Sequence, residues 1–251
     1  MTESLVLLHG FLGCPADWDL VRARWPDLTT VALEIVGHRG KEDSNLPTSF
    51  DAEVDRLGLE LAAQKLQNVH LVGYSLGARL ALGLLLRQPA RIARATLIGV
   101  HPGLIDPRER AERTAADEAW AHRLDREGLD SFLDAWEAQP LFASQARLPV
   151  AVREHQRCQR RRHQPRGLAT ALRKLSLGQM PARWAALAKI EVPIALVHGA
   201  DDLKFAALAE RAAAAIPRGR RISIAGAGHN PVLERPEALA KALAGPTQGE
   251  G

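Results

Sequence analysis

The sequence predicts an α/β fold: a mainly parallel sheet flanked by helices, with a helical lid inserted between two of its strands. Three observations carry this. Short apolar runs alternate with amphipathic helical stretches up to residue 103, the pattern of βα units. From Leu104 to Ala186 no convincing strand occurs, and charged, Ala- and Leu-rich stretches are broken at Gly128, Pro140, Pro149, Pro165 and Pro181. Beyond that point the strand–turn–helix alternation resumes.

Leu5–Leu8 is an apolar strand running into the turn His9-Gly10-Phe11-Leu12-Gly13, and no strand is expected ahead of it. A helix is expected near Asp17 to Trp25, a strand at Thr29 to Ile35, a helix near Phe50 to Leu66, a strand at Asn68 to Val72 and a helix at Leu76 to Arg87. The strand Ala93 to Val100 ends the first part of the core at His101-Pro102-Gly103. After the insertion come the strand Val192 to Val197, a helix near Phe205 to Ala215, the strand Arg221 to Ile224 and a helix near Pro236 to Leu243, with a frayed tail from Gly245 to Gly251. The expected division is a core of residues 1–103 and 187–251 and a cap of residues 104–186, lying over the carboxyl ends of the strands where open α/β sheets bind ligands.

The most informative residues are Gly73-Tyr74-Ser75-Leu76-Gly77, which fit G-x-S-x-G at a strand-to-helix turn. Such a turn exposes the serine hydroxyl, and the flanking glycines leave room for backbone that a Cβ would obstruct. A serine hydroxyl needs a histidine to take its proton and an acid to orient that histidine. In the order Ser, acid, His, the candidates are Ser75, then Asp202 with Asp201 as its competitor, then His229 in Gly226-Ala227-Gly228-His229-Asn230; both partners fall just past strand ends. The backbone N–H groups of Phe11 and Leu76 are the expected oxyanion donors. Arg79, one turn into the elbow helix, is costly to desolvate without an anion and reads as a carboxylate clamp, or alternatively as a salt bridge to the lid. Tyr74 lies beside the nucleophile. His38, His70, His101 and His198 read as structural, and His9 as shaping the turn that follows it.

Hydrophobic content of 46% and charged content of 25% in 251 residues leave no argument for disorder. Cys14 and Cys158 lie far apart in no ligand spacing, so neither a disulfide framework nor a metal site is expected. No leader pattern or long apolar run appears, so the expectation is a cytoplasmic protein, a monomer or small homo-oligomer, without membrane insertion. The net charge of +4 is concentrated in Arg153 to Arg173, and with aromatics at only 4% it reads as a solvated helix face or a grip on a small anion rather than a nucleic-acid surface.

These residues, with His101-Pro102-Gly103-Leu104, Arg110 to Arg113, Trp136 with Gln139 to Ser144, and Asp202-Leu203-Lys204-Phe205, resemble a family of the α/β-hydrolase fold. It is the 2-succinyl-6-hydroxy-2,4-cyclohexadiene-1-carboxylate synthases of menaquinone biosynthesis. The resemblance spans nearly the whole chain. It implies a triad of Ser75, Asp202 and His229, with Asp202 favoured over Asp201 by its spacing from Gly199, and substrate contacts from Tyr74, Arg79, Arg113 and Trp136. It implies a further lid arginine: the distance to Leu168 favours Arg160, and counting from Ser144 favours Arg157. Two departures stand out: Ala78 replaces a second glycine after the elbow leucine, and Glu34-Ile35-Val36-Gly37-His38-Arg39-Gly40 keeps a Gly-His pair without the usual aspartate and proline.

The implied chemistry is elimination of pyruvate from an anionic polycarboxylate without a cofactor. The alternative on the same triad is a carboxylesterase or thioesterase working through a Ser75 acyl-enzyme.

Overall fold

Residues 3–39 and 48–244 are described by the computed structural model. Six strands form one sheet: β1 (Ser4–Leu8), β2 (Thr29–Leu33), β3 (Val69–Tyr74), β4 (Ile92–Ile98), β5 (Ile194–Gly199) and β6 (Gly219–Ile224). Their order is β2-β1-β3-β4-β5-β6 and every pair is parallel. The middle strands are near-continuous apolar runs because helices cover both faces, whereas edge strand β6 leaves Arg220 and Arg221 exposed.

Side-chain alternation divides the core in two. Val6 and Leu8 join the cluster beneath α2 (Phe50–Ala63), α3 (Leu76–Arg87) and α7 (Leu203–Ala215). Leu5 and Leu7 point the other way, with Trp18, with Val21 of α1 (Asp19–Arg22), with Val232 of α8 (Pro231–Glu234) and with Leu239 and Leu243 of α9 (Pro236–Ala244). The strand order reverses around β1 and β3, which opens a crevice at their carboxyl ends. Leu8 pairs with Gly73, so the turn after β1 and the serine elbow after β3 emerge side by side.

Between β4 and β5 the chain is helical, with α4 (Pro107–Glu137), a 3₁₀ run (Pro140–Arg147), α5 (Val150–Arg160), α6 (Pro165–Lys174) and a last 3₁₀ turn (Trp184–Lys189). Proline opens three of these, at positions where its missing N–H would have had no partner anyway. Helix α4 is broken at Gly128, whose φ of 79° and ψ of −178° leave the helical region. This segment has its own core, in which Ala121, Leu124, Phe132 and Leu133 of α4 meet Leu168, Ala169 and Leu172 of α6, and Leu12 of the β1 turn joins them.

The helix expected at Asp17 to Trp25 is instead a 3₁₀ turn, Pro15–Trp18, followed by the short α1. The dipeptide Trp25-Pro26 explains the early stop, since a residue before proline is pushed out of the helical region. Strand β4 ends at Ile98, two residues before the expected boundary, where the chain turns at Gly99. Gly40 and the tail from Gly245 lie outside the described residues. Among the described residues no helix is long and apolar enough to cross a membrane, and no cluster of three metal-ligating side chains occurs.

Candidate active site

Ser75 sits between β3 and α3 at φ 52° and ψ −107°, a conformation that L-residues rarely adopt. Its surroundings hold it there: its N–H donates to Ile98 O at 2.8 Å, and its carbonyl accepts from Arg79 N at 3.1 Å. A Cβ on Gly73 would lie 2.4 Å from Gly77 O, and one on Gly77 would lie 2.3 Å from Leu8 O. The two glycines of the motif are therefore where backbone crosses backbone.

His229 reaches Ser75 through Nε2, 3.2 Å from Oγ, and Asp202 through Nδ1, 2.8 Å from Oδ2. The other oxygen of Asp202 accepts from Phe205 N at 3.2 Å, so the carboxylate caps α7 while it orients the imidazole. The turn carrying His229 is held by buried Glu234, which accepts from the N–H groups on either side, Gly228 at 2.8 Å and Asn230 at 3.1 Å. Asp201 faces outward and pairs with Arg147 on the surface. Exposed pairs contribute little, because water and salt screen both charges. Asp201→Ala is accordingly expected to leave turnover within about twofold of the parent and Tm within about 2 °C, checked by steady-state kinetics and thermal unfolding.

The turn after β1 brings Phe11 to the same place. Its backbone N–H and that of Leu76, at the first position of α3, make no hydrogen bond within the described chain, and both residues line the cavity beside Ser75. Three buried histidines brace this turn. His9 accepts from Ile35 N at 3.2 Å, His38 accepts from Leu12 N at 3.2 Å, and His163 donates to Leu12 O at 3.1 Å. Burial holds all three neutral, with His9 pushed down to about 3, His163 to about 4 and His38 well below its ordinary value. Because unfolding restores an imidazole pKa near 6.5, the unfolded chain binds more protons below that pH, and the stability of the folded state falls as pH drops from 6.5 toward 4. Tm is expected to be flat above pH 7 and to drop by more than about 5 °C between pH 7 and pH 5; a flat profile to pH 5 would contradict the neutral assignment.

The cavity, of about 300 Å³, lies between the strand ends and the helical segment. Arg79 lines it and, among the described residues, pairs with no carboxylate: a terminal nitrogen donates to Leu175 O at 2.9 Å, and no salt bridge to the helical segment forms. Burial, together with the nearby Arg113 cation, lowers its pKa to about 9. Arg113 is tied through Nε to both oxygens of buried Asp117, at 2.9 Å each. Arg160 is buried, lines the cavity and holds Glu137 at 2.8 Å. Arg157 also binds Glu137 but does not reach the cavity. Tyr74 and Trp136 lie in the wall, Tyr74 with its ring centroid 5.6 Å from that of His229 and Trp136 with its own 5.0 Å from that of Phe11.

Several cavity residues escaped the sequence reading. Trp120 sits edge-on to Trp136 with centroids 5.2 Å apart, and the rings of Phe142 and Phe205 flank His229 at 6.3 and 4.4 Å. Asp17 and Gln156 also line the wall. Arg113, Asp117 and Trp120 recur at helical spacing on one face of α4, a signal that was available. His101, read as structural, does accept from Gly103 N at 3.1 Å but also lines the cavity, neutral because burial and neighbouring cations lower it to about 4. His38, His70 and His198 lie buried at hydrogen-bonded positions, as expected.

A family model described as an alpha/beta hydrolase family matches residues 5–242. The 2-succinyl-6-hydroxy-2,4-cyclohexadiene-1-carboxylate synthase of Enterobacter sp. (strain 638) is 35% identical over 240 residues, covering 96% of this chain and 90% of that protein. Among solved structures, MenH from S. aureus superposes with a TM-score of 0.93 at 31% identity, covering 98% of this chain and 93% of that one. A thermophilic esterase from Thermogutta terrifontis superposes with a TM-score of 0.83 at 22% identity, covering 97% and 88%, and shares the fold alone. The chain therefore belongs to the α/β-hydrolase family and, within it, to the 2-succinyl-6-hydroxy-2,4-cyclohexadiene-1-carboxylate synthases.

Proposed function

We propose that this protein is a lyase that eliminates pyruvate from 2-succinyl-5-enolpyruvyl-6-hydroxy-3-cyclohexene-1-carboxylate to give 2-succinyl-6-hydroxy-2,4-cyclohexadiene-1-carboxylate. The single observation that carries this reading is the cavity itself: three arginine side chains line the space beside Ser75 and His229, and Arg79 among them pairs with no carboxylate among the described residues. A pocket for a neutral acyl chain has no use for them, whereas a substrate with three carboxylates does.

The two ring systems differ by a proton lost at C2 and a leaving group lost at C5. His229, oriented by Asp202, takes the Ser75 proton, and the Ser75 oxygen takes the C2 proton, which the adjacent succinyl carbonyl acidifies. The electron pair moves first onto that carbonyl oxygen, which the Phe11 and Leu76 N–H groups receive, each worth about 3 kcal/mol in the transition state. It then returns through the ring to close the diene and break the C5–O bond. The enolpyruvyl group leaves as the enolate of pyruvate and takes up a proton from the imidazolium through Ser75. Arg79, Arg113 and Arg160 hold the carboxylates, each with guanidinium nitrogens beyond those already engaged. Tyr74 and Trp136 pack the ring. Each step is a proton transfer or a heterolysis, so no cofactor enters. A water-soluble polyanion as substrate agrees with a cytoplasmic enzyme.

The test is a paired assay of the purified protein. Pyruvate release from the cyclohexene substrate, with little turnover of p-nitrophenyl acetate, is expected. Rapid hydrolysis of the ester with no pyruvate released would establish the esterase reading instead.

A further inference from the structure

Leu12 follows the proposed donor Phe11 and adopts φ 61°, the left-handed region that a branched apolar residue avoids. Such a conformation persists only when neighbours determine it from several sides. Here both polar backbone atoms of Leu12 are held by imidazoles: its N–H by His38 Nε2 at 3.2 Å, and its carbonyl by His163 Nε2 at 3.1 Å. His38 comes from the loop after β2. His163 comes from the turn between α5 and α6, 151 positions along the chain from Leu12.

Hydrogen-bond partners fix each ring's tautomer. His163 Nε2 faces a carbonyl and must donate, while its Nδ1 accepts from Arg39 N at 2.9 Å. His38 Nε2 faces an N–H and must accept, so its Nδ1 carries the proton and donates to Ile35 O at 3.2 Å. The rings of His38 and His163 meet edge to face, 5.5 Å apart, and His163 is 3% exposed. The same turn carries Arg160, which faces the cavity, and the His163 N–H donates to the Arg160 carbonyl at 3.1 Å. Arg160 at the cavity wall and His163 at the Leu12 carbonyl thus share one hydrogen-bonded turn.

We propose that His163 is a positioning residue of the helical segment: through its bond to the Leu12 carbonyl it holds the oxyanion turn in shape, and so couples the seating of that segment on the substrate to the aim of the Phe11 N–H. This rests on the oxyanion role proposed above for Phe11. His163 does not touch substrate, so its loss acts on the transition state more than on binding.

Two measurements test this. In the unaltered protein, long-range ¹⁵N–¹H NMR at pH 7 is expected to show His163 as a neutral ring with its proton on Nε2; a proton on Nδ1, or a charged ring, overturns the proposal whatever the enzyme turns over. His163→Phe keeps the ring and removes both hydrogen bonds, and His163→Gln restores a donor toward Leu12. The expected result is a fall in kcat of about tenfold or more for the Phe variant with KM within about twofold, and recovery to within about threefold of the parent for the Gln variant. An unchanged kcat in His163→Phe, or a raised KM with kcat intact, overturns it. If the parent releases no pyruvate, the proposed function fails while this inference is still read with p-nitrophenyl acetate, whose acyl oxyanion would occupy the same two donors.

Discussion

Ser75→Ala is expected to lower pyruvate release by on the order of 10⁴-fold or more, with Tm unchanged. The hydroxyl lies in the cavity wall, 3.2 Å from His229 Nε2. Alanine keeps the Cβ and inherits the same backbone at φ 52°, so the fold has no reason to respond. What survives is the contribution proposed for the arginines and for the Phe11 and Leu76 N–H groups, which would bind and polarise without a base. The measurement is a coupled pyruvate assay under single-turnover conditions, beside thermal unfolding. It separates two ways of removing the C2 proton: if Ser75→Ala keeps more than a tenth of the rate, His229 takes the proton directly and the serine is a bystander.

Arg79→Met is expected to lower kcat/KM for pyruvate release by about 10²- to 10³-fold, in line with the 2–5 kcal/mol lost when one partner of a buried charge pair is removed. The same change should leave Tm unchanged or raise it. In the folded protein this guanidinium is desolvated beside the Arg113 cation, which together lower its pKa to about 9, and among the described residues it pairs with no carboxylate, lying over the Phe50 ring and donating to the Leu175 carbonyl. Such a cation is a cost to the fold that its ligand offsets, the usual trade at a binding site. p-Nitrophenyl acetate, which carries no carboxylate, should be turned over at the parental rate or faster. A marked fall in Tm with both activities reduced in parallel would show that Arg79 serves to fasten Leu175 rather than to receive substrate.

Much of this molecule could be read from local pattern. A strand that is buried on both faces must be an apolar run, and a serine elbow must place glycine where Leu8 O and Gly77 O pass within 2.3 and 2.4 Å of the missing Cβ atoms. The helix Leu76–Arg87 was legible to the residue because a motif marks its start. Proline marked where the lid helices begin, and the order Ser75, Asp202, His229 was visible because the residues follow strand ends. The short α1 was overestimated because apolar spacing was weighed above the proline at position 26.

Other features were marked only by spacing within the resembled family, or not at all. Asp201 and Asp202 are neighbours of identical chemistry, and which one meets His229 depends on how the chain leaves β5: Asp202 turns inward to 2.8 Å from Nδ1, and Asp201 turns to Arg147 at the surface. Arg157 and Arg160 lie one turn apart on α5 and grip the same Glu137, yet only the lie of α5 over the crevice brings Arg160 to the cavity wall. His163 carries no motif at all. Pattern along the chain records the period of a helix or a strand and the room a turn demands, because those are interactions among near neighbours. The direction of a charge and the pairing of Leu12 with an imidazole 151 positions away exist only once distant segments are packed together, so they belong to the fold and are invisible in any window of residues.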